Sequence, residues 1–241
     1  MKTVQHIAAT IATIAVLSVG GSARAAIVVY SGSDPGAVAV GPGSAAAAAS
    51  FDAAAGPTTL IDFEGFDLGA RTNGLLISPG VTLSGSSTPQ DAITDTPHCA
   101  ASLCGFNTTS GGSKFASLLG DPLTFTFATP ISSFGAYFSG VQEGFNHIEF
   151  SDGTSQNIAI PNPHGGLAFL GFTDFGRSIS SITIGVTAPR PGGGTDGDVI
   201  GVDDVRFGFA SVPEPATWTT MILGFAVVGA ALRRRREAPA S

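Results

Sequence analysis

The chain has 241 residues, of which 33 are Gly, 17 are Phe and only 12 % are charged. The formal net charge is −7, but the stretch from Ala26 to Val212 holds five basic residues against sixteen acidic ones, close to −11. So acidic a stretch excludes nucleic acid as a partner, because binding a phosphate backbone needs a basic surface.

In chain order, Lys2 precedes an apolar stretch over residues 7–19 and a small-residue end at Ala23-Arg24-Ala25. This is the layout of a secretory signal, with cleavage expected after Ala25. Residues 27–30 predict a first short strand, and 31–43 a Gly-, Pro- and Ser-rich loop. The Ala-rich stretch 44–55 predicts a short helix, capped by Ser44 and stopped by Gly56-Pro57, with Phe51 packed on a sheet.

From residue 58 the pattern turns to β. Strands are expected at 59–64, 80–85, 114–118, 123–127, 131–139, 146–150, 156–160, 166–173, 179–186 and 202–209. The clearest is 123–127, where Leu and Phe alternate with Thr. Asp121-Pro122, Thr129-Pro130, Ser151-Asp152-Gly153, Pro161-Asn162-Pro163 and Pro191 with its three glycines read as turns between them. About ten short strands with no strong helix among them predict an all-β fold, an antiparallel β-sandwich. No repeat of 20–50 residues is visible, which disfavours a solenoid.

Cys99 and Cys104 are the only cysteines. In an exported chain an even pair predicts a disulfide closing a small loop, worth about 2 kcal/mol. His98, beside the first, is too little for a zinc site. His147 and His164 are scattered among Asn, Pro and Gly. No nucleophile elbow, zinc-protease helix motif, P-loop or dinucleotide fingerprint is present. Glu143 and Glu149 are the carboxylates a secreted hydrolase would use, given a cleft between them.

Two acidic groups are more suggestive: Asp62, Glu64 and Asp67 near the first clear β strand, and Asp196, Asp198, Asp203 and Asp204 near the last. First and last strands of a sandwich are often neighbours. Asp62, Glu64 and Asp203 are therefore the expected oxygen ligands of a structural Ca2+. The competing reading makes these acids turn caps, or partners of Arg71 and Arg206.

The chain ends with Val212-Pro213-Glu214-Pro215, then Trp218, an apolar run to Leu232 and four arginines, Arg233, Arg234, Arg235 and Arg236. The prolines predict extended backbone over the motif. The sixteen residues 217–232 make a helix of roughly 24 Å, short for a hydrocarbon core of about 30 Å. Trp218 suits a membrane–water interface, and the arginines would hold the end on the cytoplasmic side.

Residues 212–236 resemble the PEP-CTERM sorting signal of Gram-negative bacteria, also called the ice-binding protein C-terminal domain; Thr219 stands where many members have Ala. The resemblance implies processing by an exosortase, a membrane cysteine protease. The segments Ile61-Asp62-Phe63-Glu64-Gly65-Phe66 and Ile200-Gly201-Val202-Asp203-Asp204-Val205-Arg206-Phe207 resemble exported jelly-roll proteins of the same class, which implies a jelly-roll-like sandwich over about 58–209 and a cation bridging early and late strands.

The expected layout is a signal peptide (1–25), an N-terminal strand, loop and helix (26–57), a β-sandwich (58–211), a sorting signal with a transmembrane helix (212–236) and a tail (237–241). The expected protein is non-enzymatic, held transiently at the inner membrane, and then delivered to the cell envelope or outside. There it would touch exopolysaccharide, although only Tyr30 and Tyr137 are at hand as tyrosines for stacking on sugar. A carboxylate-dependent secreted hydrolase and an adhesive or ice-binding surface are the alternatives.

Overall fold

The computed structural model describes residues 27–85, 89, 91–97, 104–119, 122–141, 147–156, 165–173, 179–185, 199–209 and 215–236. The strands are β1 (Val28–Pro35), β2 (Thr59–Ile61), β3 (Leu75–Ser78), β4 (Val81–Ser84), β5 (Ala92–Thr94), β6 (Phe115–Leu119), β7 (Leu123–Ser139), β8 (His147–Phe150), β9 (Ser155–Gln156), β10 (Gly166–Thr173), β11 (Ile179–Gly185) and β12 (Val199–Phe209). Helix α1 is Pro42–Ala55, and α2 is Pro215–Arg236. All the strands join one antiparallel network.

Strand β7 organises the network. Its first part, Leu123 to Phe127, pairs with β4 and β11, and its second, Ile131 to Ser139, pairs with β10 and β12. Thr129-Pro130, expected as a turn, is instead the place where one continuous strand changes partners. Proline has no N–H to give a ladder, so a change of partners is where it disturbs least. The two halves fold over a shared apolar core. Phe150 on β8 meets Phe172 on β10 at 5.6 Å between ring centroids, although these strands are not neighbours in the sheet. Phe125 and Phe134, on opposite sides of the bend, meet at 4.8 Å.

Helix α1 forms as expected but is capped differently. Ser44 lies inside the helix, whose N-cap residue is Gly41 with no side-chain bond. The free N–H groups of Gly43 and Ser44 are met by Asp34 on β1, at 2.8 and 2.9 Å. A carboxylate fixed on the sheet both satisfies these donors and suits the positive end of the helix. Burial alone would raise the Asp34 carboxyl, but the bonds from Ser44, Gly43 and Gly41 hold it below its ordinary value. The helix sits on glycines. A Cβ at Gly171 would lie 2.6 Å from Phe51, and Gly135, its partner across the ladder, faces the same ring. Phe51 fills the space they leave and is fully buried. A second apolar cluster, with Tyr137, Phe169 and Ala47, forms around it.

One expectation about the end of the chain is corrected. Residues 215–236 are helical, but no helix among the described residues is long and apolar enough to cross a membrane. The apolar run is too short, Gly224 and Gly229 dilute it, and four arginines occupy the last turn of the same helix. Pro215 opens α2 rather than extending the motif, in keeping with proline at a first helical position, where no N–H is missed.

Candidate functional site

The two acidic segments do meet. Strand β2 pairs with β12, Ile61 opposite Val205. Just beyond this pair both chains leave strand geometry. Phe63 (φ 58°) and Asp204 (φ 47°) are the non-glycine residues with positive φ among those described. A bulky residue in the left-handed region is strained by about 1–3 kcal/mol and persists only where its surroundings over-determine it. Here the ring of Phe63 is fully buried, and β12 shifts register on β7 between Asp203 and Arg206.

The shift turns two consecutive carboxylates onto the loop between Cys104 and Phe115. Asp203 is completely buried and Asp204 is 8 % exposed. Oδ2 of Asp203 accepts from the Thr108 N–H at 2.7 Å, the Thr108 hydroxyl at 3.0 Å and the Thr109 N–H at 3.2 Å. Its Oδ1 accepts from the Asp204 N–H at 2.8 Å. Asp204 Oδ1 accepts from the Thr109 hydroxyl at 2.8 Å. Burial pushes the Asp203 carboxyl up to about 7; the bonds from Thr108 oppose this, and the neighbouring Asp204 charge adds to it.

The other acidic segment grips the far side of the same loop. Glu64 Oε1 accepts from the N–H groups of Ser113 and Lys114, each at 2.7 Å. Lys114 Nζ in turn donates to the carbonyls of Glu64 at 2.9 Å and Phe66 at 2.7 Å. Asp62 closes a local turn, accepting from the Glu64 N–H at 3.2 Å. At the loop's base, the Ser139 hydroxyl accepts from Phe106 N–H and donates to its carbonyl, both at 2.8 Å.

Asp62, Glu64 and Asp203, expected as calcium ligands, are thus each engaged by the chain. Among the described residues no group of three or more His, Cys, Asp or Glu side chains is placed to hold a metal ion. The shared loop instead supplies N–H and hydroxyl donors to oxygens of Asp203 and Glu64. The competing reading, acids as turn caps, describes Asp62. Arg206 donates to the Asp204 carbonyl at 3.2 Å and pairs with the Asp52 carboxylate on α1 at 3.4 Å. Its guanidinium lies 5.3 Å from the centre of the Tyr137 ring and 5.7 Å from that of Phe169. Arg206 therefore clamps α1 to the sheet.

The remaining predicted residues fall in different places. Cys104 is fully buried and no described cysteine is free, while Cys99, its expected partner, lies outside the described residues. So do His98, Glu143, His164, Asp196, Asp198 and, in the sorting motif, Val212, Pro213 and Glu214. Glu149 is on β8, opposite Thr183 and Ser155, and His147 begins the same strand. Tyr137 is buried, with its hydroxyl raised above the ordinary value by burial. Tyr30 packs edge-on against Phe51. Tyr137 is therefore no open platform for sugar, while Tyr30 is half-buried. Trp218 and the four arginines lie within α2, whose Met221, Ile222, Leu223, Phe225, Val227 and Val228 are exposed.

A family model for the PEP-CTERM protein-sorting motif matches residues 211–236. No curated protein and no solved structure matches the chain. The tail therefore carries a PEP-CTERM sorting signal, the mark of an exported protein sorted by an exosortase.

Proposed function

We propose that the chain is a non-catalytic protein of the cell envelope or extracellular matrix, a jelly-roll-like β-sandwich delivered by its tail. On this reading α2 holds the exported domain at the inner membrane until an exosortase acts near Val212–Pro215. The observation that carries it is the sorting motif at 211–236, which begins two residues after the last strand ends at Phe209. An apolar helix with its side chains exposed seeks lipid or protein cover, and four arginines add attraction to anionic headgroups. A non-catalytic role is supported by the chemistry at the acidic junction, where Asp203, Asp204 and Glu64 are committed to the loop between Cys104 and Phe115.

The test is a pulse–chase of the chain in cells with and without an active exosortase. The expected result is conversion to a shorter, exported form only where the enzyme works, and persistence of the membrane-associated precursor elsewhere. Identical products in both strains would refute the sorting mechanism.

A further inference from the structure

The two ends of the folded domain leave it from one side. β1 begins at Val28, opposite Thr173, where β10 ends. β10 runs along the second part of β7, with Phe172 opposite Phe134, and β7 runs along β12, with Phe209 opposite Ile131. β1 is thus antiparallel to β12, and it starts at the edge where β12 stops. In the order β1-β10-β7-β12 the two exits are three strand spacings apart, about 14 Å. The expected signal cleavage after Ala25 lies next to one exit. Pro215, where α2 starts, is six Cα steps from Phe209, at most about 22 Å of chain.

This edge combines exposed apolar side chains with an absence of charge. Val28 is 40 % exposed, Val29 39 % and Phe209 45 %, the last with its ring against buried Phe207. Residues 27–29, 128–133, 173 and 207–209 include no charged side chain. The loop 174–178 between β10 and β11 lies outside the described residues; its sequence has one acid, Asp174, and one base, Arg177. A domain close to −11 is repelled by an anionic lipid surface, and the repulsion is weakest where its own charges are absent.

We infer that the neutral edge formed by Ile27, Val28, Val29 and Phe209 is a docking surface for the lipid bilayer, on which the domain rests while its tail is retained. The inference builds on membrane retention through α2. The short link after Phe209 brings this edge to the bilayer, the missing charge permits contact, and the exposed Val and Phe side chains supply apolar area for the interface. Both chain ends then reach the membrane without passing around the domain.

The test places one tryptophan at each end of the domain. In a chain carrying Trp218→Phe, which removes the natural tryptophan, Val28→Trp reports on the proposed edge. Ser110→Trp reports on the exposed loop held to Asp203 and Ser139, roughly 20 Å away along β7. The chain from Ala26 onwards, without the signal segment, is reconstituted with vesicles of phosphatidylethanolamine and phosphatidylglycerol carrying nitroxide-labelled lipid. The expected result is at least threefold stronger quenching at position 28 than at position 110. Val28 is three strands away from the tail, so its quenching does not follow from proximity to α2 alone. Equal quenching at both positions in chain that floats with the vesicles overturns edge docking and leaves retention intact. A chain that does not float overturns both. Val29→Trp replaces Val28→Trp should the latter lower the melting temperature.

Discussion

Substituting Asp203 by Asn isolates the energetic cost of burying this carboxyl. Asp203 is fully buried, and its pKa is raised from 3.8 to about 7, mainly by loss of water. The folded state therefore holds this proton more tightly than the unfolded chain. Stability from the group is fully present below about pH 4 and is lost as the pH rises towards 7. At about 1.4 kcal/mol per pH unit, the loss is on the order of 4 kcal/mol. Asn keeps one acceptor oxygen and cannot ionise, so Asp203→Asn resembles the protonated form. Donors from Thr108, Thr109 and Asp204 surround both carboxylate oxygens. The amide NH2 consequently faces a donor and costs about 1–3 kcal/mol at every pH. The informative quantity is the difference in unfolding free energy between the two proteins, from urea curves followed by circular dichroism between pH 4 and pH 8. Other titrating groups largely cancel in that difference. The variant should gain on the parent by about 4 kcal/mol across the range. A pH-independent difference would refute the argument, and would mean that the hydrogen bonds to the carboxylate outweigh its desolvation.

Phe51→Ala should destabilise the domain by about 3–5 kcal/mol, read as a fall in melting temperature, because the ring is fully buried over Gly135 and Gly171. Gly171→Ala should cost about 1–3 kcal/mol by forcing α1 outward, and an unchanged melting temperature would mean that the helix is not seated there. Replacing Pro213 and Pro215 together by Ala should abolish exosortase-dependent shortening in the pulse–chase while leaving export intact. Intact mass under non-reducing conditions should be lower by two hydrogens than after reduction, Cys104→Ser should remove the difference, and equal masses would refute the Cys99–Cys104 disulfide.

The parts of the fold legible in the sequence are those where one face alone is buried. Residues 123–127 alternate because Leu123, Phe125 and Phe127 enter the core while Thr124 and Thr126 stay outside, Thr124 bonding to Thr183 across the ladder at 2.9 Å. Strands β3 and β5, Leu-Leu-Ile-Ser and Ala-Ile-Thr, place apolar residues side by side, so no strand period marks them in the sequence. Joining 123–127 to 131–139 was hidden by Thr129-Pro130, since a proline that ends one ladder and a proline at which a strand changes partners look alike in sequence. The helix was visible in its alanines. Its anchor was not, because Asp34 lies ten residues before Ser44 in a stretch that composition alone makes a loop.

The acidic junction was half legible, and the missing half decides its chemistry. Pairing of the first clear strand with the last brings Ile61 to Val205 as expected, so Glu64 and Asp203 do act in one region. What sequence could not supply was the third participant, Thr108 and Thr109, some 95 residues from Asp203. A signal was nonetheless present. Asp203 and Asp204 interrupt a strand whose Ile200, Val202, Val205 and Phe207 are all apolar, and acids in a buried strand must find donors. The cluster Asn107-Thr108-Thr109 is one dense source of hydroxyl and N–H groups in a loop. Two paired acidic motifs therefore do not by themselves imply a cation. The donors that reach Asp203 and Glu64 are threonine hydroxyls and backbone amides of one loop. The same commitment fixes the loop far from the neutral edge where the chain enters and leaves, so the charged junction, beside Tyr137, and the proposed membrane-facing edge, beside Ile131, occupy opposite ends of the second part of β7.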